Sequence, residues 1–373
     1  MIAGIGLVES FLCALSLIKS WIEYNFLRRN RDGKILDYRS YLIRKAGLRG
    51  YRIFYEPYAR KVWGIDPSLV SIDAVKKRIS MVRPMSFLWD ICAHYLKKKS
   101  GGFYYYLTGG IGSFAEALEQ RLMGNNCEIA KNVSDFSLKI ENDRRALNFT
   151  QSGRSNSAEF EILVSAIPLD ELMKKLNIAE SLQELVKEIK WRGLKLAYLH
   201  IEGQPLLDGE SFYFPELKYV FGRVSIPKRF SYAMQPDDSY TVFTCEIPCS
   251  KGDRIWNMPD HKIYDLCLEG LRQARLITEK QNCIPEGNFT VNIASVYPVY
   301  TTAYQKHLSL LLKYLSDNFP YIYTSGKLGF FLHCNLDHAI EIGLSLAEHL
   351  QNGKSARDWH DKITLFQGMK LRD

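Results

Sequence analysis

YIYTSGKLGFFLHCNLDHAIEIGLSLAEHL, residues 321–350, decides how this chain is read. Tyr321, Ile322, Tyr323 and Thr324 form a short strand-like run. Gly326 and Gly329 come next, where a backbone turns tightly or lies close to a ligand. Asn335, Leu336 and Asp337 then open a helix. Leu336, Ala339, Ile340, Gly343, Leu344 and Ala347 recur at helical spacing and predict one buried stripe, with Gly353 as the stop. A strand, a glycine turn and a helix N-terminus aimed at the turn make an anion site from free N–H groups and the helix dipole. The same spacing also fits an ordinary strand–loop–helix unit.

The chain has 373 residues, enough for about two domains and a full core. Its net charge of +8 is uneven, because residues 1–100 hold 19 Lys/Arg against 8 Asp/Glu. A basic face attracts phosphate-bearing substrates or an acidic membrane surface. No Lys/Arg run exceeds Lys97-Lys98-Lys99 and no nucleic-acid motif accompanies it, so no nucleic-acid partner is expected. Eight cysteines are scattered without a Cys-x-x-Cys pair, which points to reduced thiols in a cytoplasmic setting and to no metal site. The sequons at Asn132, Asn148 and Asn288 are then chance matches.

Leu7, Phe11, Leu15, Ile18 and Ile22 trace one stripe of an N-terminal amphipathic helix, soluble or leaning on a membrane. Glu9 and Lys19 interrupt the apolar run, which argues against a span, and no signal-peptide pattern is present. Ser71 is expected to cap a helix carrying Ile72, Val75, Ile79 and Val82, ended by Pro84. Ser113 and Glu116 have capping-box spacing, with Phe114, Leu118 and Leu122 as the core stripe behind them. Strands are expected at 127–140, 146–150 and 159–166, with a turn at Asn142-Asp143, and helices over 170–190. A sheet is expected from 194–201, 212–214, 219–221 and 240–247. Asp260 starts a further helix, a strand spans 289–297, and Leu308, Leu311, Leu312 and Leu315 mark the helix before the opening stretch. Residues 355–373 are polar and expected to be loose.

Several stretches resemble one family. Gly326-Lys327-Leu328-Gly329-Phe330-Phe331 with Asn335-Leu336-Asp337-His338-Ala339-Ile340 and Gly343 is similar to the C-terminal flavin-binding motif of the amine oxidase / protoporphyrinogen oxidase superfamily, near UDP-galactopyranose mutase. Where that family usually has Arg after the first glycine, this chain has Lys327, which keeps the charge but not the planar fork. The run from Tyr51 through Glu56-Pro57-Tyr58, Lys61-Val62-Trp63-Gly64-Ile65 to Pro67 looks like a second family block. Tyr106-Leu107-Thr108-Gly109-Gly110-Ile111-Gly112 looks like a third, and Val164-Ser165-Ala166-Ile167-Pro168-Leu169 a fourth. Phe221-Gly222-Arg223-Val224, Glu246-Ile247-Pro248-Cys249 and Tyr297-Pro298-Val299-Tyr300 match as well.

The resemblance implies an α/β fold with an incomplete FAD/NAD(P)-binding Rossmann-like domain and an α+β substrate lobe of helices and antiparallel sheet. It divides the chain into residues 1–100 and 171–296 as substrate domain, 101–170 and 297–354 as cofactor domain, and 355–373 as a tail. It places Gly326, Lys327, Gly329, Asn335, Asp337, His338, Ala339, Ile340, Val133 and Pro168 against FAD. Tyr58 and Trp63 would wall a ligand cleft with Lys61 as a charge clamp, and Arg223, Tyr297 and Tyr300 would join them at a substrate bearing phosphate or carboxylate. No residue stands out as a general acid or base.

The family's opening strand, Gly-x-Gly-x-x-Gly turn and ribose-gripping acid are not found. One half of the phosphate cradle alone should bind FAD poorly. The expectation is therefore an FAD-dependent oxidoreductase truncated at its N-terminus. The alternatives are a non-catalytic or split subunit completed by a partner chain, and a mutase-like flavoenzyme acting on a nucleotide-sugar.

Overall fold

A computed structural model describes residues 6–24, 37–76, 105–141 and 144–369. The run at Lys97-Lys98-Lys99, the residues Ile79, Val82, Pro84 and Cys92, and the Asn142-Asp143 turn lie outside the described residues. The first helices are α1 (Leu7–Ile22), α2 (Tyr38–Gly50), which continues through one wider turn at Tyr51–Tyr55, α3 (Glu56–Trp63), α4 (Asp73–Lys76) and α5 (Gly112–Met123). Then come β1 (Val133–Glu141), β2 (Arg144–Gln151), β3 (Arg154–Glu159), β4 (Leu163–Ser165), α6 (Leu169–Lys175) and α7 (Glu180–Lys187). The middle of the chain forms β5 (Trp191–Glu202), β6 (Ser211–Tyr213), β7 (Arg223–Ser225), α8 (Pro227–Phe230), β8 (Tyr240–Cys249), α9 (Asp260–Gln273) and β9 (Phe289–Pro298). The last part forms α10 (Tyr304–Asn318), β10 (Ile322–Thr324), α11 (Gly326–Gly329), α12 (Leu336–Gln351), α13 (Ala356–His360) and α14 (Ile363–Gly368).

These elements fall into two compact units. The first is Met1–Ile72, Ser80–Glu119 and Trp191–Tyr297. Its sheet has the order β6-β7-β8-β5-β9. Strict alternation along β8 sends Phe243, Cys245 and Ile247 to one face. There they join Ala197, Leu199, Ile201 and Val224 in a core closed by Ile263, Cys267 and Leu271 of α9. Lys61 of α3 ties down the loop before β7. Its buried ammonium donates to the carbonyls of Phe214 (2.8 Å), Glu216 (2.6 Å) and Phe221 (3.0 Å). Burial pulls its pKa down to about 8. The expected strand at 219–221 is irregular; pairing with β8 starts at Arg223.

The second unit is Asp73–Ile79, Gln120–Lys190 and Pro298–Asp373. It holds an antiparallel β1-β2-β3 meander and a parallel pair, β4 with β10. Leu308, Leu311, Leu312 and Leu315 of α10 are buried, as their spacing predicts. The loose segment expected after residue 354 is instead two helices. Trp359 and Phe366 supply the apolar anchors, and the Trp359 Nε1–H donates to the Thr324 carbonyl at 2.7 Å.

Two further expectations change. The stripe predicted to be buried on α12 faces outward: Leu336 is 46% exposed and Leu344 is 69% exposed. The helix buries His338, Ile342, Leu346 and His349 instead. Helix α5 begins at Gly112, so Ser113 lies in its first turn and its hydroxyl donates to the Gly110 carbonyl at 2.8 Å rather than capping the helix. The stripe behind it is not core, since no residue of α5 is buried.

His360 joins α13 to two elements. The Ser316 hydroxyl donates to the Leu312 carbonyl (3.0 Å), so it accepts from His360 Nδ1 (2.7 Å). The Nε2 atom therefore carries the lone pair and accepts from the Thr324 N–H at 3.2 Å. Burial, with His349 nearby, holds the imidazole pKa down to about 4. The neutral ring stabilises the fold above the unfolded value of about 6.5, and that stability is lost as pH falls towards 4. Urea midpoints should drop by the equivalent of about 2 kcal/mol between pH 7 and pH 4.5, and His360→Gln should remove that dependence. Lys61→Met should cost about 3 kcal/mol in the same assay, because three carbonyls lose their donors in a buried place.

Candidate functional site

The end of the β4–β10 pair is built by a close backbone approach. Ser325 N–H donates to the Ser165 carbonyl at 2.8 Å, continuing the pairing one step past the strands. A Cβ on Gly329 would lie 2.7 Å from that same carbonyl oxygen. Only glycine fits there, because the chain's own packing requires it. Gly326 is different. Its φ is +69°, and a Cβ there would meet nothing within 4 Å. The backbone turns left-handed at an open position.

Tyr300 fixes the loop between α11 and α12. Its hydroxyl donates to the Phe331 carbonyl (3.1 Å) and accepts from the His333 N–H (2.8 Å). Its ring stacks on Tyr304 at 4.2 Å. Burial raises its pKa, so it stays protonated. This locked loop delivers Asn335 as the cap of α12. A capping box closes there: the Asn335 side chain takes the His338 N–H, and the His338 ring takes the Asn335 N–H at 3.2 Å. The chain's own side chains thus occupy half of the helix start. The Leu336 and Asp337 amides, in the first turn, have no acceptor within the helix.

Two hydroxyls were missed by sequence reasoning. Ser165 Oγ and Thr324 Oγ1 are buried and have no hydrogen-bond partner. They end β4 and β10 and face each other in register. Ligands of parallel sheets bind at the carboxyl ends of strands, and a serine and a threonine ending the two strands were the available signal. The two orphan hydroxyls and the open left-handed turn thus stand at the carboxyl end of the strand pair, and the two donor amides open the helix that follows.

The remaining expected residues scatter. Ala339 is half-buried and Ile340 exposed on α12, and Lys327 lies in α11. Val133 opens β1 in the meander, and Pro168 caps α6. Neither is hydrogen-bonded to the Gly326 turn. Lys61 cannot be a charge clamp, because its three donors are spent on carbonyls. Tyr300 cannot meet a substrate, because it is buried and both its bonds go to the chain. Trp63 packs edge-on against Tyr38 at 5.2 Å as part of the helical packing.

Tyr58 and Arg223 belong to a different surface. On the sheet of the first unit, Tyr213, Arg223, Glu246 and Leu196 stand opposite one another in one row. Ser211, Ser225, Thr244 and Tyr198 form the next row. These residues alternate with the core and occupy the other face. Glu246 holds Arg223 through both Nε (2.7 Å) and Nη2. That bond raises the arginine's pKa, so its charge is permanent. Tyr213 lies against Tyr58, which stacks on Phe54 at 5.8 Å. Thr244 Oγ1 is buried without a partner. Tyr297 stands half-buried near the end of β9.

Residues 29–348 match the family model for flavin-containing amine oxidoreductases. Among curated proteins none matches the sequence significantly. Solved structures share the fold at low identity. A reduced UDP-galactopyranose mutase superposes with TM-score 0.80 at 16% identity, over 100% of this chain and 78% of that one. A protein assigned as a protoporphyrinogen oxidase from Exiguobacterium sp. 255-15 gives 0.60 at 16% identity, over 87% and 68%. A redesigned putrescine oxidase gives 0.54 at 11%, over 94% and 77%. With 320 consecutive residues under one family model, this chain belongs to the flavin-containing amine oxidoreductases and is an FAD oxidoreductase of that type.

Proposed function

We propose that the chain oxidises a CH–NH or CH–CH unit of a small substrate carrying a carboxylate or phosphate to C=N or C=C, one hydrogen leaving its carbon as hydride and the second leaving as a proton to solvent. The polar rows on the outward face of the first unit's sheet carry this reading. An unpartnered buried Thr244 hydroxyl beside a fixed guanidinium is a recognition pattern, since a structural hydroxyl would be paired. Glu246 takes two of the five N–H donors of Arg223 and aims the rest. The substrate's anionic group meets Arg223, while Tyr58 and Tyr213 cover its apolar body.

The residues at the end of β4 and β10 fit one side of a flavin's phosphate bridge. The Leu336 and Asp337 amides, the open Gly326 turn and the two orphan hydroxyls would hold it. When bound, FAD accepts the hydride. On the first unit, Arg223 would bind the substrate's anionic group.

A second reading is favoured by what unit two leaves uncovered. The parallel pair β4–β10 has three residues per strand, and parallel sheet is stable only when covered on both faces. Yet Ile162, Val164, Leu336, Ile340 and Leu344 are exposed. A further strand-and-helix layer from additional polypeptide, bringing the rest of the nucleotide cradle, suits this face. Such a layer makes FAD affinity conditional on its presence. The protein's setting is proposed to be cytoplasmic, in keeping with seven described cysteines that stand outside any disulfide.

Titration with FAD, followed by the flavin bands and by fluorescence quenching, tests the cofactor side. The chain alone should bind weakly, and Leu336→Pro or Gly326→Val should abolish what binding there is. A folded protein that never binds FAD, even with the family's nucleotide-binding unit added in trans, would overturn the cofactor reading. In the flavin-loaded enzyme, Arg223→Gln should raise KM for an anionic substrate about 10–100-fold and leave FAD affinity unchanged.

A further inference from the structure

Helix α1 is apolar on two opposite faces. One face, Ser10, Cys13, Ala14 and Leu17, is buried. The other holds Val8 (75% exposed), Phe11 (58%), Leu15 (48%) and Ile22 (42%). These four lie within one helical stripe, so they make a continuous strip and not scattered surface residues. On α2, Leu48 is exposed as well. A strip of this kind marks an interaction surface.

Beside the strip lies a cavity of about 680 Å³ lined by Glu9, Leu12, Ser16, Leu48, Arg49, Arg52 and Ile53. Leu12, Leu48 and Ile53 make its apolar walls. Arg49 is committed to Glu9 through Nε–Oε1 (2.5 Å) and Nη2–Oε2 (2.9 Å). Arg52 is exposed and has no hydrogen-bond or ion-pair partner among the described residues. The surroundings are basic: Lys19, Arg39, Arg44, Lys45, Arg49 and Arg52 face only Glu9, Glu23 and Asp37 over the described part of residues 6–55.

We propose that α1 lies flat in the interface of an anionic phospholipid bilayer. The Val8–Phe11–Leu15–Ile22 strip enters the acyl region, and a lipid phosphate pairs with Arg52 beside the cavity. Three observations choose this occupant. The strip is apolar where acyl chains would be. The rim is cationic where phosphates would be. The helix, at 16 residues, rises only about 24 Å, so it lies on the membrane and does not cross it. In agreement, no helix among the described residues is long and apolar enough to cross a membrane. The proposal stands apart from the flavin chemistry and needs no cofactor for its test.

The test is co-sedimentation of the full chain with phosphatidylcholine vesicles, with and without phosphatidylglycerol. Binding should require the anionic lipid and weaken with salt. Phe11→Asp with Leu15→Asp should abolish it, and Arg52→Glu should lower partition roughly five- to tenfold. Circular dichroism and thermal melting check that the variants fold; if the double variant does not, Leu15→Ser serves in its place and should weaken binding several-fold. Absence of vesicle binding, or binding that the variants leave unchanged, overturns the proposal. So does a wild-type dimer that the double variant converts to monomer without any vesicle binding, since a second copy would then cover the strip.

Discussion

The approach of Gly329 to the Ser165 carbonyl sets the geometry of the second unit. With no side chain in the way, α11 sits on the end of β4. The Ser325–Ser165 hydrogen bond then holds the turn at the carboxyl ends of the two strands. Tyr300 pins the next loop from behind, and Asn335 arrives where its helix can start. A larger residue at 329 would push the turn off the strands, and the donors at the start of α12 would move with it.

A shared economy runs through both units. Groups that look chemical in the sequence are often consumed in structure. Lys61 and Lys195 each spend a buried ammonium on backbone carbonyls, Lys195 reaching Met258 O at 2.7 Å. This costs desolvation but satisfies loop carbonyls that no strand pairs. Groups that look inert carry the open valences instead: Ser165, Thr324 and Thr244. The candidate sites are therefore defined less by charge than by unpaired hydroxyls and amides at fixed places.

The two outward-facing apolar strips, on α1 and α12, have opposite settings. The strip on α1 is rimmed by arginine and lysine. That on α12 belongs to the unit whose short parallel strand pair leaves Ile162 and Val164 exposed. The first suits a surface of anionic headgroups, the second another layer of protein. In both cases the buried face is the less apolar one: Ser10, Cys13, Ala14 and Leu17 on α1; His338, Ile342, Leu346 and His349 on α12.

By itself the sequence determined the start of α12 at Asn335, the long alternating strands β5 and β8 of the first unit's sheet and the family, because these depend on local spacing and on motifs that repeat residue by residue. Only the tertiary structure decided which side of a helix is inside. Periodicity in Leu336, Ile340 and Leu344 says that one face is apolar; it cannot say whether this chain or something else covers it. The same limit applied to Lys61, Tyr300 and residues 355–369. Whether an ammonium, a phenol or a tryptophan is free or spent depends on carbonyls about 30 to 160 positions away, and no local pattern encodes that distance.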